Sequence, residues 1–368
     1  MPMNCSFVRA QRLGTAAWIL SLICSLPTNS FHSSSTAHAS AKTETTPSEP
    51  QCRNLNLSFK SATSDDPLKR AVISQMKKFE KAFANGDSSL FVKLASRALQ
   101  KEKRELEKIF EGTIAEYGLQ KTQLQRNSVW EIEIPNTPTP SQLVRCGDIQ
   151  ISPVYGPNRQ VAVFYSSFAR DKHTKILLYL AQTPLDDHQP EHLGMVLMQV
   201  QKWTYDGKSP EKIYQQSVAQ EGRGHQLVAR ILADAAAKIL ESNPYVVTTT
   251  QTEARQKAEL LKLSSTSQLQ SFLNSGPKLD SLRPEALEPI FRNGTLAVGL
   301  KVRMSRELSL NTQVNHCKAL GTVLFPKNSP WRNEFSGFEC LLYASQEVMT
   351  QPPKAGSKYL DWESLDSK

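Results

Sequence analysis

The chain has 368 residues, 39% of them hydrophobic and 21% charged, with a net charge of +9. That length is too great for one ordinary domain and comfortable for two. Its longest apolar block, residues 16–26, is broken by Ser21 and Ser25 and falls short of the roughly 20 apolar residues a membrane-spanning helix needs. The densest basic runs, Lys77-Lys78 and Lys101-Glu102-Lys103-Arg104, are mixed with acids at helical spacing and read as solvated helix faces. No basic stripe interleaved with aromatics accompanies them, so nucleic acid is not an expected partner. A weak attraction to anionic envelope surfaces stays open.

No Asp or Glu precedes Glu44. Arg9 and Arg12 lead into an apolar core over 15–26, Pro27 ends it, and small residues follow at Ala37-His38-Ala39 and Ala39-Ser40-Ala41. A positive start, an apolar core and an A-x-A site make a secretory signal, here cut between Ser30 and Ala41. A transit peptide would be amphipathic, whereas this core is apolar all round. A lipid-modified Cys24 would want a small residue before it, and Ile23 is large. Residues 42–64 are mostly polar and small and read as a disordered spacer. The mature chain is expected to be exported to a periplasm, cell envelope or medium.

Four cysteines remain behind the leader: Cys52, Cys146, Cys317 and Cys340. In an oxidising compartment an even number points to disulfides. The favoured pairing is Cys317–Cys340, taken as two strand-like runs of one hairpin, with Cys52–Cys146 as the remainder. There is no C-x-x-C, and metal binding by these four is not expected.

Asp66 and Pro67 open a helical stretch in which Val72, Ile73, Met76, Phe79 and Phe83 recur at helical spacing. Asn85-Gly86 closes it and Asp87 caps a second helix. A third runs over 101–117. Strands follow at 129–134, 143–151, 160–165, 175–180 and 194–205, the last ending in an Asp206-Gly207 turn. Ser209-Pro210 starts a helix, and another runs over 225–242 to Asn243-Pro244. Residues 246–284 read as a polar helical linker and 285–350 as a small β-rich unit with strands at 294–304, 314–325 and 338–345. Residues 351–368 read as a loose tail.

Three helices followed by a run of antiparallel strands resemble the nuclear-transport-factor-two-like superfamily, the cone-shaped α+β fold shared with ketosteroid isomerases. The resemblance is carried by Phe79-x3-Phe83-Ala84-Asn85-Gly86-Asp87, by the strands over 129–205 and by Trp203-x-Tyr205-Asp206-Gly207. It covers about 66–206, within a first domain set at 65–245. It implies a curved antiparallel sheet wrapping the helices, with an apolar pocket at the mouth. Members include enzymes, small-molecule binders and adaptors, so the fold alone gives no function. The isomerases place an acid base and a tyrosine-containing oxyanion hole there; no catalytic residue is carried over. Trp130, Tyr165, Tyr179 and Trp203 are the pocket candidates, with His173 between two strands.

His188-Gln189-Pro190-Glu191-His192 spells H-x-x-E-H, but that zinc-protease pattern works only on a helix. Pro190 and the flanking strands put it in a hairpin loop. Gly222-Arg223-Gly224-His225 precedes a helix without a nucleotide-loop glycine pattern and reads as a helix-entry loop. S-x-x-K at 209–212 and 275–278 lacks its companion motifs. Asn56-Leu57-Ser58 and Asn293-Gly294-Thr295 are glycosylation sequons. No metal or cofactor is expected. The leading expectation is an exported, non-enzymatic module binding an apolar small molecule or a partner protein. The alternatives are a cone-pocket isomerase or hydrolase, and a structural envelope component.

Overall fold

The computed structural model describes residues 5–12, 17–24, 51–55, 57, 66–119, 122–133, 143–153, 159–169, 172–181, 193–279, 281–354 and 356–367. The cleavage region, residues 42–50 of the spacer, the Asn56 sequon's acceptor and the H-x-x-E-H segment lie outside them, and residues 51–54, expected as part of a disordered spacer, form a strand instead. The fold is α+β. The chain divides into two compact units, residues 1–202 with 243–247, and residues 203–242 with 248–368.

The first unit begins with strands β1 (Cys5–Arg12), β2 (Ala17–Cys24) and β3 (Gln51–Asn54). Four helices follow, α1 (Pro67–Asn85), α2 (Ser88–Leu94), α3 (Arg97–Gln100) and α4 (Lys103–Tyr117). The expected stops and starts are in place. Asp66 caps α1 through Leu68 N at 2.9 Å. Gly86 ends that helix at φ 66°, in the left-handed conformation glycine adopts without strain. Asp87 caps α2 through Leu90 N at 2.8 Å. The remaining strands are β4 (Gln125–Glu133), β5 (Val144–Cys146), β6 (Ile149–Ile151), β7 (Arg159–Ala169), β8 (Lys172–Ala181), β9 (Gly194–Lys202) and β10 (Val246–Thr248).

Among the described residues the main sheet has the order β1-β2-β9-β8-β7-β4-β3 and is antiparallel at each pairing. The stretch 17–24, expected as a leader's apolar core, is thus the strand beside β9 in the full chain. The expected single strand at 143–151 is two short ones, because Gly147 turns the chain at φ 63°. That hairpin joins β10 in a separate three-stranded sheet.

Alternation along the strands makes two layers. Val129, Val161, Val163, Tyr165, Ile176, Leu178 and Val200 face the helices and share a core with Val72, Met76, Phe79, Phe83, Phe91, Phe110 and Ile114. Ile132, Ala162, Leu177, Tyr179 and Leu197 face the other way, packing with Val144, Cys146, Ile151 and Val246.

The second unit contains α5 (Pro210–Gly222), α6 (Gln226–Glu241), α7 (Thr249–Ser264), α8 (Thr266–Asn274), β11 (Leu282–Arg292), β12 (Thr295–Met304), α9 (Leu310–Leu324), α10 (Pro330–Glu334), β13 (Gly337–Tyr343), β14 (Ser357–Asp361) and α11 (Trp362–Asp366). Its sheet runs β11-β12-β13-β14, with β12 and β13 parallel and the other pairs antiparallel. A parallel pair needs a crossover, and α9 and α10 supply it.

Four expectations are corrected here. The division falls after Lys202 rather than near 245, because Ile213, Val228, Ile231, Leu232, Ala235 and Ile239 share a core with Leu296, Val298, Leu300 and Val302. Residues 314–325 form most of a helix, since buried Gln313, Cys317, Leu320, Gly321 and Leu324 recur every three to four residues. The 351–368 tail is β14 and α11, whose Leu360 and Leu365 are buried in that same core. The polar 246–284 segment likewise contributes Ala254 and Leu273 to it.

Candidate functional site

The register separates the expected pocket aromatics. Trp130 and Tyr179 both stand opposite Ala162 and share the face turned away from the helices. Tyr165, three residues from Ala162, points to the helix side. Trp203 lies past the end of β9, in the second unit and half-buried. Trp130 and Tyr179 therefore share a face, and Tyr165 lies on the other one.

Tyr165 belongs to a block of rings. It stacks on Phe79 at 5.3 Å; Phe79 meets Phe83 at 4.7 Å; Phe83 meets Phe110 edge-on at 5.0 Å; and Phe110 stacks on Phe91 at 4.4 Å. Such offset and edge-on pairs are the favourable aromatic geometries. These side chains fill the space between helices and sheet. Burial holds the Tyr165 phenol well above its ordinary pKa, and the Glu80 carboxylate adds to that. Glu80 itself forms a two-pronged pair with Arg126, with Nη2 to Oε2 at 2.8 Å. That hydrogen bond raises the Arg126 pKa.

On the opposite face Tyr179 donates its hydroxyl to the Ser152 carbonyl at 2.8 Å and meets the Tyr245 ring edge-on. Burial again pushes its pKa well up. Trp130 donates to Ser128 Oγ at 3.1 Å, and Gly147 packs so closely on its ring that a Cβ there would sit 3.1 Å away. These are packing environments.

The second unit holds a polar chain that its sequence did not announce. Gln220, 2% exposed, donates its amide to Glu334 Oε1 at 2.7 Å, and Lys208 lies 3.5 Å from Glu334 Oε2. The carboxylate fixes the orientation of the Gln220 amide, which turns its carbonyl toward His225 Nδ1 at 2.7 Å. A carbonyl only accepts, so His225 carries a proton on Nδ1. In the neutral ring, Nε2 is then the basic nitrogen, on an exposed residue at the N-cap of α6. The arrangement ties the end of α5, the start of α6 and α10 together. The helix-entry loop is where the sequence placed it; Gln220 is five residues from His225, but Glu334, which orients it, is 114 residues from Gln220 and left no local signal.

Both disulfides are present: Cys52–Cys146 and Cys317–Cys340. Cys317 lies on α9 and Cys340 on β13, so the second bond is helix to strand rather than across a hairpin. The first joins β3 to β5. Near it, buried Glu131 accepts from both Arg53 and Arg159, an ion cluster assembled across β3, β4 and β7. The Glu131 hydrogen bond is the main cause of a raised Arg53 pKa. Of the S-x-x-K serines, Ser209 caps α5 and Ser275 ends α8. Among the described residues no three His, Cys, Asp or Glu side chains gather as a metal set, and no helix is long and apolar enough to cross a membrane. No known protein family, characterised protein or solved structure matches the chain.

Proposed function

We propose that this is an exported, non-enzymatic protein that works by binding a partner protein, its first unit belonging to the cone-shaped nuclear-transport-factor-two-like group. Export is supported by the acid-free leader and by a disulfide within each unit. The family assignment is supported by four helices laid on one face of an antiparallel sheet. One observation carries the choice of a protein over a small molecule: Phe79, Phe83, Phe91, Phe110 and Tyr165 pack on one another between the helices and the sheet. Tyr165, one of the expected pocket residues, is packed among them and fully buried.

Native mass spectrometry of the protein taken from its own cells tests this. The expected spectrum contains a complex with a second polypeptide, and the chain without its leader is found outside the cytoplasm with its four cysteines oxidised. A stoichiometric small-molecule adduct would move the reading to a ligand carrier. A bare monomer with free thiols would sink it.

A further inference from the structure

Helices α1 to α3 carry a dense excess of basic residues. Residues 67–101 contain eight lysines and arginines against two acids, Glu80 and Asp87. Both acids are engaged: Glu80 with Arg126, and Asp87 as the cap of α2. On α1 the spacing of Arg70, Lys77, Lys78 and Lys81 sets them opposite the buried Val72, Met76, Phe79 and Phe83, and all four are exposed. Lys93 and Lys101 are exposed in the same helical layer, whose inward side is one continuous core against the sheet. Helix α4 differs, since its Lys103 and Lys108 pair with Glu107 and Glu105. No large exposed hydrophobic residue lies between 66 and 119. This outward face is therefore strongly basic and free of anchors that would insert into a bilayer.

We infer that the outward face of α1 to α3 adsorbs to anionic phospholipid at a membrane surface. Each lysine near such a surface contributes about 1 kcal/mol, a roughly fivefold gain in binding, within about a Debye length. Five lysines, Lys77, Lys78, Lys81, Lys93 and Lys101, suffice for reversible adsorption without insertion. The inference rests on this charge pattern and not on the partner-protein reading, so either can fail alone.

Vesicle co-sedimentation of the protein purified from its own cells tests it. At about 0.1 M salt the protein should pellet with vesicles containing about a third anionic lipid and stay in solution with neutral phosphatidylcholine vesicles; about 0.5 M salt should release it. The combined Lys77→Gln, Lys78→Gln, Lys81→Gln, Lys93→Gln variant should lose about 100-fold or more in binding with an unchanged circular dichroism spectrum. A control with the same net charge, Lys212→Gln, Lys262→Gln, Lys278→Gln, Lys354→Gln, should bind within about twofold of the parent. Equal binding to neutral vesicles, salt-resistant binding, or equal loss in the control each overturns the assignment. So does a protein that ignores anionic vesicles yet binds heparin through the same four lysines.

Discussion

The Tyr165 hydroxyl is buried with no hydrogen-bond partner among the described residues. An unpartnered buried hydroxyl carries its desolvation cost uncompensated, so Tyr165→Phe is expected to leave stability unchanged or raise it by about 1 kcal/mol. Urea unfolding decides this; a clear loss of stability would mean the hydroxyl has a partner. The neighbouring Glu80–Arg126 pair behaves in the opposite way. Its side chains are only 25% and 11% exposed, so Glu80→Gln strands a half-buried guanidinium. The expected cost is about 1–2 kcal/mol, from losing the carboxylate's charge, below that of a fully buried pair because water still reaches one side. Tyr205, packed on Phe291 at 4.8 Å, gives a pH dependence. Burial pushes its pKa up to about 12, whereas an unfolded tyrosine ionises near pH 10. The unfolded chain therefore sheds this proton first, and stability falls as pH rises from about 10 to about 12, by up to about 3 kcal/mol. Burial of Tyr165 and Tyr179 acts in the same direction. Tyr205→Phe should flatten part of the alkaline limb of unfolding; an unaltered limb would show that its phenol ionises freely in the folded protein. Tyr165 and Tyr179 were legible as strand residues, whereas Tyr205 lies past the end of β9. That Tyr165 and Tyr179 lie on opposite faces depends on which residue pairs with Ala162, and cross-strand register is not written in either strand alone.

Helix caps and turns were legible because their signals are local. Asp66, Gly86, Asp87, Pro210 and the Asp206-Gly207 turn act through neighbours a few residues away. Residues 314–325 misled for a related reason. Val314, Thr322 and Val323 favour strands, while the helical stripe they interrupt, Cys317, Leu320, Gly321 and Leu324, is decided by packing on β13. Gly321 shows what that packing demands. A Cβ there would lie 2.3 Å from the Phe338 ring and 2.8 Å from Leu365, so only glycine lets α9 approach the sheet. Alanine is the better helix former by about 1 kcal/mol, yet overpacking of this kind costs about 1–3 kcal/mol and Phe338 is fully buried with little room to yield. Gly321→Ala is expected to destabilise the second unit by about 1–2 kcal/mol net, read as a lower urea midpoint. A stabilised variant would mean that α9 sits farther from β13 than this.

At the scale of the whole chain, the sequence conveyed the α+β class and both cysteine pairs, but the point of division did not show. The polar 246–284 segment looks like a linker because α7 exposes most of its length, with Leu260 and Leu263 at 68% and 78% exposure. Its few buried residues still join the core that α6, β11 and β12 build. The two disulfides differ in a way that reduction exposes. Cys52–Cys146 links residues 94 apart, and Cys317–Cys340 residues 23 apart. Loop-closure entropy assigns them about 4–5 and about 3 kcal/mol respectively. Access runs the same way: Cys317 and Cys340 are fully buried, whereas Cys52 lies half-buried on β3, at the edge of its sheet. A reductant reaches the second bond only when its unit opens, but can attack the first at a frayed edge. Graded reduction with maleimide labelling and peptide mass spectrometry should therefore mark Cys52 and Cys146 first, with exchange protection lost across β3 to β5 while α9 and β13 stay protected. Labelling of Cys317 and Cys340 ahead of them would place the more accessible bond in the second unit and reverse this order of vulnerability.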